Sequence, residues 1–224
     1  MIPWIPLGSA IAPGGDIVRL WQRGTEFSIR LSTGNELMNS RLGGSEAALA
    51  AQSLPLVADR PAPVVLIGGL GMGFTLRAAL DAAPPGARVV VSEIVPELVD
   101  WARGPMAGIF AGSLDDARVR IEPGDVGELI RAGHGAYDAI LLDVDNGPDG
   151  LTRPGNDALY SAAGLAAARA ALRPGGVLGV WSAHPAPAFV RRLGSAGFAV
   201  TESTVRAGRA RRGPKHVIWI ARRQ

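Results

Sequence analysis

The sequence has no cysteine and no long apolar segment among its 224 residues. Without cysteine, neither a disulfide framework nor a thiolate metal site can form. The amino-terminal stretch MIPWIPLGSAIAPGG is apolar, but it lacks a basic region and is interrupted by prolines. No run approaches the roughly 20 apolar residues of a membrane span. We therefore expect a soluble, cytoplasmic protein.

The chain is also poor in lysine: Lys215 is the single lysine, so arginine carries almost all of the positive charge. Hydrophobic residues make up 47% of the sequence and charged residues 19%, with a formal net charge of +3. A chain of this composition buries a core and is not disordered. Its length predicts one main domain with a small appendage, which we place at residues 61–224 and 1–60.

The first part of the chain predicts a small antiparallel sheet followed by a helix. Between Asp16 and Arg41 apolar and polar residues alternate, with turn signals at Arg23-Gly24-Thr25 and Thr33-Gly34-Asn35. This pattern is typical of a short β-meander. A helix is predicted from Gly43 to Leu56, with Ser45 as its N-cap.

Beyond this helix, short β-rich runs alternate with helical segments. The predicted strands are Val64–Gly68, Arg88–Glu93, Arg118–Glu122, Tyr137–Asp143 and Gly176–Ser182. The predicted helices are Thr75–Ala83, Pro96–Arg103, Val126–Ala132, Asn156–Leu172 and Ala186–Ala196. The alternation predicts a parallel sheet with helices on both faces. The final segments, FAVTESTVRAG and KHVIWIARR, predict an antiparallel edge hairpin.

A glycine turn joins the first strand of this series to its helix. Gly69, Gly71 and Gly73 allow a tight turn and the close approach of a ligand to the helix N-terminus, which favours a nucleotide. The dinucleotide fingerprint G-x-G-x-x-G would need glycine at Phe74, so NAD binding is disfavoured. A P-loop needs Gly-Lys-Ser/Thr, and the single lysine lies far away, so an NTPase of that type is excluded.

Two acids follow the next two strands. Glu93 ends the second strand, where one carboxylate could accept both ribose hydroxyls of a nucleoside. Asp125 follows the third strand, in EPGDVGEL, where it could accept from an adenine amino group. The alternative is a tight turn flanked by solvated acids. The glycine turn, Glu93 and Asp125 stand at successive strand ends, and together they favour adenosine binding. The predicted adenosine-binding residues are Gly69, Gly71, Gly73, Glu93 and Asp125.

These motifs resemble the class I methyltransferase fold and, within it, the spermidine synthase family, from about Leu37 onward. LIGGLGMGFTLRAAL is similar to that family's nucleotide loop, VVVSEIVPELVDWAR to its ribose-binding strand and helix, and EPGD to its adenine contact. YDAILLDVDNGP is similar to its catalytic strand end, and LYSAAGLAAARAALRPGGVLGVWS to its late helix and strand. The resemblance implies an α/β, Rossmann-like fold with a mostly parallel seven-stranded sheet and an antiparallel C-terminal hairpin.

The resemblance also implies a transferase. Its donor would be S-adenosylmethionine or decarboxylated S-adenosylmethionine, used as a co-substrate, and it would move a methyl or an aminopropyl group. In both displacements the acceptor attacks a carbon next to the sulfonium, so catalysis needs alignment and an acceptor without its proton. Asp143 matches the family's catalytic aspartate, and Asp145 is a new carboxylate close to it. We take both as catalytic candidates.

Several positions depart from the family's polyamine-binding pattern. The acid of the family's glycine loop falls on Met72, and its D-S-S-D stretch reads Asp143-Val144-Asp145-Asn146. In its D-E-x-x-Y-x-E pattern Glu46 is kept, but the tyrosine falls on Leu49, and a later tyrosine falls on Leu165. The matching positions bind the nucleotide and the departing ones hold the polyamine. We therefore expect a retained donor site and a changed small-molecule acceptor, which could still be an amine.

Three alternatives stay open. One is genuine polyamine aminopropyl transfer, and another is a non-catalytic nucleotide-binding or interaction protein. A third is a Mg²⁺ site at Asp143, Asp145 and Asp149, although the proposed chemistry needs no metal and we expect none. The scattered histidines show no metal-ligand spacing.

The basic stretch VRAGRARRGPKH could attract phosphates, but it lacks the interleaved aromatic residues of a stacking platform. A solvated loop is the better interpretation. We expect neither a nucleic-acid nor a membrane partner. The amino-terminal meander and the family resemblance suggest a homodimer.

Overall fold

The computed structural model describes residues 2–144, 147–148, 158–208 and 213–224. In this part of the chain a first, antiparallel sheet has four strands in sequential order. They are β1 (Ile5–Ile11), β2 (Ile17–Arg23), β3 (Glu26–Leu31) and β4 (Glu36–Asn39). The predicted meander is confirmed, but sequence reasoning missed β1. This edge strand is exposed at most positions, so it lacks the alternation that reveals a strand.

A second sheet holds seven strands in the described residues, in the order β10-β11-β9-β8-β5-β6-β7. They are β5 (Val64–Gly68), β6 (Arg88–Glu93), β7 (Val119–Pro123), β8 (Tyr137–Leu142), β9 (Leu172–Ser182), β10 (Phe198–Arg206) and β11 (Lys215–Arg223). Strands β5 to β9 pair in parallel, and β10 and β11 are antiparallel. The predicted Rossmann-like fold with its C-terminal hairpin is confirmed. β9 begins at Leu172, not at Gly176.

The helices of the described residues are α1 (Gly44–Ser53), α2 (Phe74–Ala82), α3 (Pro96–Arg103), α4 (Ala107–Phe110), α5 (Val126–Ala132), α6 (Ala162–Ala171) and α7 (Pro187–Ser195). A 3-10 turn, Leu54–Val57, extends α1. The prediction of Ser45 as N-cap is wrong, because α1 begins after Gly43. None of the helices described is long and apolar enough to span a membrane.

The large sheet is buried on both faces, as a parallel sheet requires. Along β5, Val65 and Ile67 point into one core and Leu66 into the other. The first core also contains Leu20 and Ile29 of the amino-terminal sheet, so that sheet packs directly on the larger unit. The division of the chain into two parts after residue 60 stays a prediction. Helix α1, which belongs to the predicted first part, packs against α2 and β9 of the second.

A buried carboxylate joins the amino-terminal ends of the central strands. Asp138, near the start of β8, is fully buried. Its Oδ2 accepts from the backbone N–H of Val64 at 2.6 Å and from Arg173 at 2.7 Å. Its Oδ1 pairs with Arg60. Two guanidinium groups thus neutralise this end of the sheet, and the carboxyl ends of the same strands hold the candidate site.

Candidate active site

The carboxyl ends of β5, β6, β7 and β8 meet at a cavity of about 150 Å³. Glu93, Asp125 and Asp143 line it together, as their positions at successive strand ends predict. Its other wall comes from the amino-terminal sheet, which contributes apolar residues such as Ile29 and Met38. Sequence reasoning missed this wall, because nothing local to β3 or β4 shows what those strands cover.

The glycine turn needs glycine for backbone reasons as well as for ligand approach. Gly69, Gly71 and Gly73 have φ values of +88°, +50° and +74°, a region that other residues rarely adopt. A Cβ on Gly69 would lie 2.5 Å from the carbonyl oxygen of Asp143, so this glycine lets the end of β8 come close. Gly69 and Gly71 line the cavity. Gly73 instead caps α2 and faces the ring of Phe110.

Glu93 is 5% exposed and ties two turns of the site together. Its Oε2 accepts from the N–H of Leu70 in the glycine turn, and its Oε1 from the N–H of Val95, each at 2.9 Å. These bonds fix the carboxylate at the cavity wall. Because each carboxylate oxygen accepts more than one hydrogen bond, the group retains the capacity to accept ribose hydroxyls.

Asp125 has a local role besides the one that the sequence predicts. It is the N-cap of α5, and its Oδ1 accepts from the N–H of Gly127 at 2.7 Å. The cap holds the side chain at the cavity. A capping carboxylate with one oxygen engaged can still accept a hydrogen bond from a ligand.

Asp143 follows the last residue of β8. Its backbone N–H donates to Gly68 at 3.0 Å, and its Oδ2 accepts from the hydroxyl of Thr75 at 2.5 Å. The pKa of Asp143 is raised to about 7, chiefly by desolvation and also by the negative charge of Glu46, while the Thr75 hydrogen bond acts in the opposite direction. A carboxylate with a pKa close to neutrality is suited to act as a general base at physiological pH.

Sequence reasoning did not place three further side chains at the site. Thr75 bonds Asp143, Ser45 bonds the neighbouring Glu46, and His216 bonds Ser45. The hydroxyl of Ser45 lies 2.5 Å from Oε2 of Glu46 and 2.8 Å from Nδ1 of His216. Burial raises the pKa of Glu46. Burial, with a smaller contribution from His184, lowers the pKa of His216. Ser45 and His216 are 171 positions apart in sequence, so no local pattern could have connected them.

Some predicted residues cannot be compared with the structure. Asp145 and Asp149 lie outside the described residues, as do Arg209, Arg211 and Arg212 of the basic loop. In the described ranges no three His, Asp or Glu side chains are grouped to hold a metal ion. Leu49 and Leu165, at the family's tyrosine positions, are fully buried in the core, and Met72 is 4% exposed.

Known proteins resemble this chain both in sequence and in fold, although no protein-family model matches it. A polyamine aminopropyltransferase of Mycobacterium tuberculosis is 34% identical over 157 residues, which are 66% of this chain and 29% of that protein. The chain therefore matches less than a third of its relative's length.

Solved structures of known proteins resemble this chain in fold. A spermidine synthase in complex with the transition-state analogue AdoDATO superposes with a TM-score of 0.74 and 17% identity, over 98% of this chain and 72% of that one. The fold of this chain is like that of spermidine synthase. A Burkholderia thailandensis 1,6-didemethyltoxoflavin-N1-methyltransferase with bound S-adenosylhomocysteine superposes with a TM-score of 0.56 and 23% identity, over 80% of this chain and 78% of that one. The first and the last of these three proteins are named as transferases.

Proposed function

We propose that this spermidine synthase-like chain transfers a group from an adenosyl sulfonium donor to a small amine. The observation that carries this proposal is the meeting of the glycine turn, Glu93 and Asp143 at one cavity. Relatives and fold neighbours named as aminopropyltransferase, spermidine synthase and methyltransferase support the reaction class.

In this proposal the donor lies across the carboxyl ends of the strands. Glu93 accepts the ribose hydroxyls, and Asp125 accepts from the adenine amino group. Ile94 and Met38, both in the cavity wall, offer apolar surface to the base and to the sulfonium substituents. The backbone of Gly69 and Gly71 allows close approach of the donor. S-Adenosylmethionine and its decarboxylated form share every one of these contacts.

The acceptor enters on the side of Asp143. Its amine lone pair forms a bond to a carbon next to the sulfonium, and the electron pair of the broken C–S bond passes to sulfur, which leaves as a neutral thioether. The nitrogen gives up a proton to the carboxylate of Asp143. A base with a pKa of about 7 takes this proton at neutral pH and releases it again to solvent.

Two features bear on the group that is transferred. Met72 replaces the family's loop acid, which disfavours a donor with a free aminopropyl ammonium. Among its described lining residues the cavity also has no arginine or lysine, which disfavours a donor carboxylate. Because the two features oppose each other, the choice between methyl and aminopropyl transfer requires a measurement.

The test is a comparison of melting temperatures with four compounds, each alone: S-adenosylmethionine, its decarboxylated form, S-adenosylhomocysteine and methylthioadenosine. At a hundred times its dissociation constant a ligand stabilises the fold by about 2.7 kcal/mol. Preference for the decarboxylated donor indicates aminopropyl transfer, and preference for the carboxylated pair indicates methyl transfer. No shift with any of the four would overturn the donor site. Binding without turnover on a panel of amines would indicate a non-catalytic protein.

A homodimer is the assembly that we propose with this function. Ile2, Ile5, Leu7, Ile11 and Ile17 are large apolar side chains exposed at the start of the chain. Such a patch is typical of an interaction surface. Sedimentation equilibrium of the chain and of an Ile11→Lys variant tests this; a monomer in both would contradict it.

A further inference from the structure

Helices α1 and α2 bring a second acid, Glu46, beside Asp143, and the hydroxyl of Thr75 lies between them. Oγ1 of Thr75 is 2.5 Å from Oδ2 of Asp143 and 3.2 Å from the carbonyl oxygen of Glu46. A hydroxyl has one proton to donate. When Asp143 is ionised, Thr75 donates to it. When Asp143 is protonated, it donates to Thr75, which then donates to the Glu46 carbonyl. Thr75 thus satisfies both protonation states of Asp143.

The side chain of Glu46 is held by a second hydroxyl, that of Ser45. Ser45 is fully buried, and its one hydroxyl proton lies between Oε2 of Glu46 and Nδ1 of His216. If Ser45 donates to Glu46, then Nδ1 of His216 must carry a proton and donate to Ser45. The edge of His216 packs against Trp181 with a centroid distance of 4.7 Å. Glu46 is therefore oriented by a serine and a histidine that are themselves fixed.

The charges around the pair are unbalanced. Besides burial, the charge of Glu46 raises the pKa of Asp143. The imidazole of His216 is linked to Glu46 through Ser45, and His184 acts in turn on His216. No arginine or lysine in the described ranges forms an ion pair with either acid. Like charges that share a site resist double ionisation. Ionisation of both acids at once is therefore disfavoured.

We propose that Glu46, oriented by Ser45 and His216, is a positioning residue that acts through Asp143 and sets the pH at which the site takes up the acceptor's proton. This inference rests on the proposed function. The charge on Glu46 gives Asp143 its affinity for the proton that leaves the acceptor nitrogen as the C–N bond forms and the C–S bond breaks. Without that charge Asp143 is a weaker base.

The test is the titration of Asp143 by ¹³C NMR in aspartate-labelled protein, with the signal assigned by its loss in Asp143→Asn. We expect Glu46→Gln to move the midpoint to lower pH, because a neutral amide no longer repels the charge on Asp143. In Ser45→Ala, which loses the bond that favours ionised Glu46, we expect a smaller shift in the same direction. Glu128→Gln, the same change at an exposed site on α5, is the matched control and should leave the midpoint unchanged.

An unchanged midpoint in Glu46→Gln overturns the proposal, and if that variant does not fold, an unchanged midpoint in Ser45→Ala does so. The titration uses neither donor nor acceptor, so it reports on the pair even if the proposed transfer is wrong. Where transfer is measurable, the acid limb of the kcat/KM profile should follow the NMR midpoint. A purely structural role for Glu46 would lower activity without moving that limb.

Discussion

An aspartate lies at each end of β8, but the two aspartates have different partners. Asp138, near its start, has two arginines and a backbone N–H as partners. Asp143, just past its end, has the hydroxyl of Thr75 and a neighbouring acid. The first is neutralised and holds strands together. The second is buried without a neutralising partner in the described part of the chain; this burial, together with the charge of Glu46, raises its pKa and suits it to proton transfer. Burial alone therefore does not distinguish a structural acid from a functional one; the partners do.

The largest effect is expected from removing the charge at the functional end. Asp143→Asn should lower transfer by about 10² to 10⁴-fold, the usual contribution of a general base. Donor binding should persist, because the donor contacts of Glu93 and Asp125 are unchanged. Steady-state rates and thermal shift with the donor measure the two effects. Full activity in this variant would remove Asp143 from the mechanism.

At the structural end the expected effect is on stability. Asp138→Ala leaves the N–H of Val64 without its partner and two guanidinium groups without a counter-charge. We expect the free energy of unfolding to fall by about 3 kcal/mol, as measured by urea denaturation. Asp116→Ala is the control, because its surface pair with Arg118 is screened by solvent. Equal losses in both variants would contradict the assignment of Asp138 as an anchor.

At the functional end, stability is also expected to depend on pH. Because the pKa of Asp143 is raised to about 7, folding favours its protonated form. Its stabilising contribution is complete below the unfolded pKa near 4 and is lost as pH rises through 7, at about 1.4 kcal/mol per pKa unit. Asp143→Asn should therefore gain stability over the wild type as pH rises from 4 to 8. If the free energies of unfolding of the two proteins change with pH in parallel, folding does not raise the pKa of Asp143.

The smallest expected effect concerns the hydroxyl of Thr75, which lies between the carboxyl of Asp143 and the backbone carbonyl of Glu46. The Thr75 hydrogen bond lowers the pKa of Asp143, so Thr75→Val should raise it and move the acid limb of the activity profile to higher pH. Thr75→Ser retains a hydroxyl and should behave as the wild type. If the acid limb of the activity profile moves equally in both variants, the cause is repacking around residue 75 and not loss of the hydrogen bond.

Much of the architecture could be predicted because its signals are local. The bounds of α3 and α5 agree with the prediction; for α3 the sequence signal is proline at the first turn. β1 was missed because an exposed edge strand shows no alternation. Ser45 was misassigned because a serine before a helical run is typical of a cap, whereas its buried hydroxyl bonds Glu46 and His216.

The sequence by itself determined the alternation of strands and helices from β5 onward, the positive-φ glycine turn, and the acids at successive strand ends. These follow from periodicity, from the steric freedom of glycine and from the rule that parallel strands share a carboxyl edge. Tertiary structure alone decided which acids are neutralised. Arg60 and Arg173 reach Asp138 across the sheet, and Glu46 reaches Asp143 through helix packing. Charge balance at a buried site depends on distances between remote residues, which no local pattern contains.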